Sequence, residues 1–176
     1  MNWRLVILVV LAVVAGCVEK PPPEAGPTLP NQVLEVFVLH ESRTGARLYT
    51  LEAETAYVYD PEQLVDVVDP HVTFYDEDGT VHSVLVADRG TIHSRTEDLV
   101  ARGSVKVRTE DSTVLRSDSL VWSNGPRIVH TDAPVRISSR DGELSGVGLV
   151  SDAGLNRVQI KSEVRGTSNY DFEAEK

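Results

Sequence analysis

The chain has 176 residues, of which 41% are hydrophobic but only 6% aromatic, and it carries a formal charge of −10. Such a surface repels nucleic acid and anionic lipid headgroups, and a single cysteine, Cys17, excludes an intramolecular disulfide. Valine dominates the apolar residues, and its stiff branched side chain favours strands over helices. The composition predicts one all-β domain with a sizeable core.

In chain order, Met1–Arg4 supplies a short positive segment, and Leu5–Val14 is an apolar run of Leu, Val, Ile and Ala. Ala15 and Gly16 are the small residues that a signal peptidase needs before Cys17. Val14-Ala15-Gly16-Cys17 resembles a bacterial lipobox, which implies acylation of Cys17 and cleavage before it. The alternative is an uncleaved membrane helix, but a span needs roughly 20 apolar residues and this run breaks at Glu19, Lys20 and three prolines. Residues 1–16 are therefore read as a lipoprotein signal peptide. Loss of Arg4 with the leader leaves 16 basic against 27 acidic residues. Residues 17–31 are the lipidated cysteine and a proline-rich tether, able to hold a domain up to roughly 40 Å from a membrane at the rise of polyproline II.

From residue 32 to 166 short alternating segments follow one another at close spacing, about fourteen candidate strands in all. Asp78-Gly79, Asn124-Gly125 and Asp141-Gly142 are hairpin-type dipeptides. Leu51–Asp60 has a faint helical pattern, but Tyr57-Val58-Tyr59 makes it a strand. A unit of strand, turn and strand recurs. Val72/Phe74 leads to Leu85 and Ala87-Asp88, Val105/Val107 to Leu115 and Ser117-Asp118, and Val135/Ile137 to Leu144 and Gly146. Its spacings are 33 and 30 residues, and an opening copy at Val36 starts 36 residues before Val72. One unit cannot bury its apolar face alone, so the units must stack. Val72, Phe74, Val105, Val107, Leu120, Trp122, Val135 and Ile137 fall on one face by period two, and are the candidate residues for an apolar groove. Trp122 and Tyr49 either line that groove or pack in a core. Residues 167–176 read as a polar tail.

The series Tyr49-Thr-Leu51-Glu-Ala53, Asp69-Pro70, Gly103-Ser-Val105-Lys-Val107, Ser117-Asp118-Ser-Leu120-Val-Trp122, Thr131-Asp-Ala-Pro134-Val135 and Leu144-Ser-Gly146-Val-Gly148-Leu149 resembles the LptC family. That family is the periplasmic component of the lipopolysaccharide export ABC transporter. The resemblance implies a β-jellyroll of antiparallel strands folded into a V, with an interior for acyl chains of lipopolysaccharide. It also implies partners: the inner-membrane transporter subunits at one end, and at the other a periplasmic bridge protein, LptA-like, held by edge-strand pairing. It places the protein on the periplasmic face of the inner membrane, here through the lipid on Cys17 where many members use a helix. A bridge-type or structural envelope lipoprotein of the same fold, without direct transporter contact, is the alternative.

The sequence carries no signature of an enzyme or of a bound cofactor. It lacks a Gly-x-x-x-x-Gly-Lys-Ser/Thr loop and a nucleophile elbow. His40, His71, His82, His93 and His130 are scattered and read as solvated strand residues. Asp76-Glu-Asp78-Gly79 reads as a turn rather than a calcium loop.

Overall fold

The computed structural model describes residues 29–168, so the lipobox and tether lie outside the described residues up to position 28. Eleven antiparallel strands form one sheet. They are β1 (Gln32–Arg43), β2 (Ala46–Tyr59), β3 (Leu64–Val68), β4 (His71–Tyr75), β5 (Val81–Val86), β6 (Arg89–His93), β7 (Asp98–Thr109), β8 (Val114–Ser123), β9 (Ile128–Ser139), β10 (Gly142–Ser151) and β11 (Val158–Ser168). This corrects the expectation of about fourteen strands.

The topology is simpler than eleven strands suggest. β2 pairs with β4 through Tyr49–Glu52 and with β3 through Thr55–Tyr59. β4 pairs with β5, β3 with β6, and both β5 and β6 pair with β7. β3 and β4 are thus one long strand broken at Asp69-Pro70, and β5 and β6 another broken at Ala87-Asp88. Nine long strands run as an up-and-down meander, each bonded to its neighbours in sequence. Leu51–Asp60 lies in β2 apart from its last residue, as expected; Asp78-Gly79 and Asn124-Gly125 lie between consecutive strands, and Asp141-Gly142 turns into the first residue of β10.

Most long strands bend or lose pairing near their middle, at a similar level across the sheet. β1 bends at Val36 (φ 56°), β3/β4 at Asp69 (φ 51°), β7 at Gly103-Ser104 (φ 75° and 47°), β10 at Gly148 (φ 73°) and β11 at Glu163 (φ 52°). Between them, pairing lapses in β8 between Ser117 and Val121 and in β10 between Val147 and Leu149. Such bulges leave ladder groups without their usual partner, and buried backbone groups need one. Side chains supply it. Ser117 donates to the Pro134 carbonyl at 2.9 Å, and the Ala133 N–H donates to the Thr131 hydroxyl at 3.0 Å. The Ser104 hydroxyl donates to the Asp88 carboxylate at 3.1 Å. Gly103 must be glycine, because a Cβ there would collide with that carboxylate. The recurring Asp, Ser and Gly of the sequence repeat are the residues of the bends.

The bends fold the meander into two legs, one built from the β4/β5 side of each strand and the other from the β3/β6 side. The core lies between them. The rings of Phe74 (first leg) and Trp122 (second leg) meet with centroids 5.1 Å apart, and Tyr49 packs on Phe74 at 5.9 Å. At one end the β10–β11 loop closes over β5, where the Ser83 hydroxyl donates to the Ala153 carbonyl at 2.8 Å.

Candidate lipid-binding interior

One aliphatic row crosses the whole first leg. Leu39 stands opposite Leu51, Leu51 opposite Val72, Val72 opposite Leu85 and Leu85 opposite Val107. The row continues through Leu115 and Ile137 to Leu144. Its six central members are 0–8% exposed, while Leu39 and Leu144 at the ends are only partly buried. The row forms because each strand places an aliphatic residue at the same parity, and antiparallel pairing fixes the register. Truncating a central member such as Leu115 to alanine costs roughly 2–5 kcal/mol in a close-packed interior.

All eight predicted groove residues are buried, at 1–8% exposure. Val72, Val107 and Ile137 belong to the aliphatic row. Val105 and Val135 flank Ser117 one step nearer the bends. Leu120 and Trp122 line the second leg, opposite Ala101 and Leu99. Lys106 and Arg136, one position away, face outward. Leu51, Leu85 and Leu115 were missed as site residues, although their parity relative to the valines carries the signal.

The interior is packed in its middle rather than open from end to end. The cavity between Leu51, Val72, Leu85, Ile92, Leu120 and Trp122 holds only about 20 Å³. A separate cleft of about 420 Å³ lies at the C-terminal edge beside Ile137, Leu144 and Val158. A second recess of about 290 Å³ lies beside Leu48, Phe74 and Trp122 under the β10–β11 loop. Among the described residues four buried side-chain atoms have no protein partner: Tyr49 Oη, Trp122 Nε1, Asn124 Oδ1 and Ser151 Oγ. Burial first, and then the carboxylates of Glu41, Glu97 and Asp98, hold the Tyr49 hydroxyl well above its ordinary pKa.

Asp78 serves its turn by accepting from the Thr80 N–H and hydroxyl at 2.9 and 2.7 Å, which lowers its pKa. Two histidines depart from the solvated reading. His130 is half-buried with its Nε2 3.1 Å from the Ser123 hydroxyl, and His82 is half-buried, 3.0 Å from Asp76, with Gly154 of the closing loop pressed against its ring. Among the described residues no group of His, Cys, Asp and Glu has the arrangement of a metal site.

Among the described residues both outer strands pair on one side only, β1 with β2 and β11 with β10. Val33, Leu34, Val36 and Val38 of β1 are 38–82% exposed, and Val164 of β11 is 58% exposed. A sheet with two such edges is open to strand addition at each end. β11 runs to Ser168, two residues beyond the expected boundary.

An aliphatic interior between two legs of a bent meander, flanked by free edges, defines a class of envelope jellyroll. A solved structure with this architecture is LptH from Pseudomonas aeruginosa, the LptA-homologous periplasmic component of the lipopolysaccharide transport device. It aligns with a TM-score of 0.51 and 11% identity over 68% of this chain and 93% of that one, a likeness of fold. The model of the LptC-related lipopolysaccharide-assembly family matches residues 5–171, and the chain belongs to that family. No curated protein matches it. Membership gives it a role in lipopolysaccharide transport at the cell envelope, in a family of transport components rather than enzymes.

Proposed function

We propose that the protein is anchored through acylated Cys17 on the periplasmic face of the inner membrane. There it takes lipopolysaccharide from the transporter subunits and passes it to an LptA-like bridge protein. The observation that carries this reading is the aliphatic row from Leu39 to Leu144, which reaches toward both free edges. Acyl chains need a smooth apolar surface, and a row nearly free of aromatic rings and of charge offers one. The remaining 20 Å³ between the legs is far too small for a chain, so loading requires the legs to part at the aligned bends. The C-terminal cleft beside Leu144 is where the row is already open. The N-terminal edge, nearer the anchor, is assigned to the transporter and β11 to the bridge.

The packed centre favours a second reading, a scaffold lipoprotein of the same fold that never opens. Site-specific photo-crosslinking during active transport separates the two. A crosslinker at Val107 or Ile137 is expected to capture lipopolysaccharide, and one at the exposed Arg102, on the outer face away from both, to capture little. Capture at neither inward position, in cells that export normally, sinks the transport reading in favour of the scaffold.

A further inference from the structure

The outer face of the first leg carries a row of cations. Lys106 stands opposite Arg116, Arg116 opposite Arg136, Arg136 opposite Ser145 and Ser145 opposite Arg165. With strands about 4.8 Å apart, the row spans about 19 Å. Three of its cations are immediate cross-strand neighbours, an arrangement that destabilises a sheet when the charges are alike. In a chain of charge −10 it is not a by-product of excess base. Among the described residues Arg136 alone of the four has an ion-pair partner, Glu143. The row lies in an open basin of about 670 Å³ where β7 to β11 bend, a volume in the range of small-ligand sites. Asp118 and Glu163 also line it, so an occupant must be multiply anionic to outbid them. Guanidinium groups suit phosphate oxygens, which they bind in pairs.

We infer that this basin is an outer-face site for a phosphate-bearing ligand and, resting on the function proposed above, that the ligand is the phosphorylated headgroup of the transported lipid. The headgroup would dock here before or after its chains occupy the interior, so the two faces of one leg read the two ends of one molecule.

The test uses the full acylated chain in neutral detergent. Inorganic pyrophosphate and a diphosphorylated acyl-disaccharide, beside its dephosphorylated form, are titrated by calorimetry. Lys106→Gln with Arg116→Gln is expected to weaken pyrophosphate binding at least tenfold. Arg165→Gln on the edge strand should weaken it severalfold, whereas Arg102→Gln, an outward cation outside the basin, should leave it unchanged. An unchanged melting temperature guards against misfolding, and Arg165→Gln still reads the site if the double variant melts early. Saturable pyrophosphate binding without preference for the phosphorylated lipid keeps the site and overturns the headgroup assignment. No saturable binding of either probe, or an equal loss in Arg102→Gln, overturns the site. If Val107 fails to capture lipid while pyrophosphate still binds, the transport reading falls and the anion site stands.

Discussion

Tyr49 sits at 0% exposure with its ring on Phe74, yet its hydroxyl has no protein partner. A buried donor left unpaired costs about 1–3 kcal/mol, and here neighbouring carboxylates stand close enough to raise its pKa without bonding it. Removing the oxygen keeps the ring packing and relieves that cost. Tyr49→Phe is therefore expected to raise stability by about 1 kcal/mol, read as a higher urea midpoint with an unchanged slope. A loss of stability means that the hydroxyl has a partner within the fold, such as an ordered water. At this scale the sequence was informative about burial and silent about partners. The period-two alternation predicts that Val105 and Val107 point inward, because parity alone decides the face of a strand. The choice between groove and core for Tyr49 and Trp122 depends on how the legs close, which no local pattern encodes.

Among the elements, β11 is an edge strand with support on one side. Val164 is exposed, the strand pairs only with β10, and Lys161 Nζ reaches Asp132 at 2.6 Å as its one ion pair among the described residues. That exposed pair is worth little. Deleting residues 158–176 is expected to leave a folded protein that still co-purifies with the transporter but no longer retains the bridge protein, while deleting 170–176 changes neither. Retention of the bridge by the longer truncation reverses the assignment of ends. Elements are also where the sequence misled most instructively. A bent strand reads as two short ones, since Asp, Ser, Gly and Pro at the bend are the residues that normally end a strand. Asp69-Pro70 and Ala87-Asp88 do interrupt the strands, whereas Gly103-Ser104, Ser117-Asp118 and Thr131–Pro134 lie inside continuous ones. The difference is tertiary: a partner strand bent at the same level, and side chains such as Ser117 that meet the freed carbonyls. Repeats were visible because bends recur; their meaning was not.

At the scale of the molecule the two legs are held shut by contacts between residues far apart in sequence, Phe74 with Trp122 and Ser83 with Ala153. If loading requires parting, fixing this closure should block it. A disulfide between Ser83→Cys and Ala153→Cys is expected to abolish crosslinking of lipopolysaccharide at Val107 under oxidising conditions and to restore it on reduction. Undiminished capture by the locked form would show that lipid enters through the open C-terminal cleft without separation of the legs.

The meander has a consequence for how the chain assembles. Each long strand bonds only to its predecessor and successor, so no backbone pairing waits for a distant segment to arrive. Closing short loops costs little entropy and is fast. A chain delivered across a membrane from its N-terminus can therefore zip hairpin by hairpin as it emerges, β1 onto β2 first. Only the side-chain closure of one leg on the other must wait for the β10–β11 loop. Until that loop appears, the growing sheet exposes its aliphatic face, and this interval is when the protein most needs protection from aggregation.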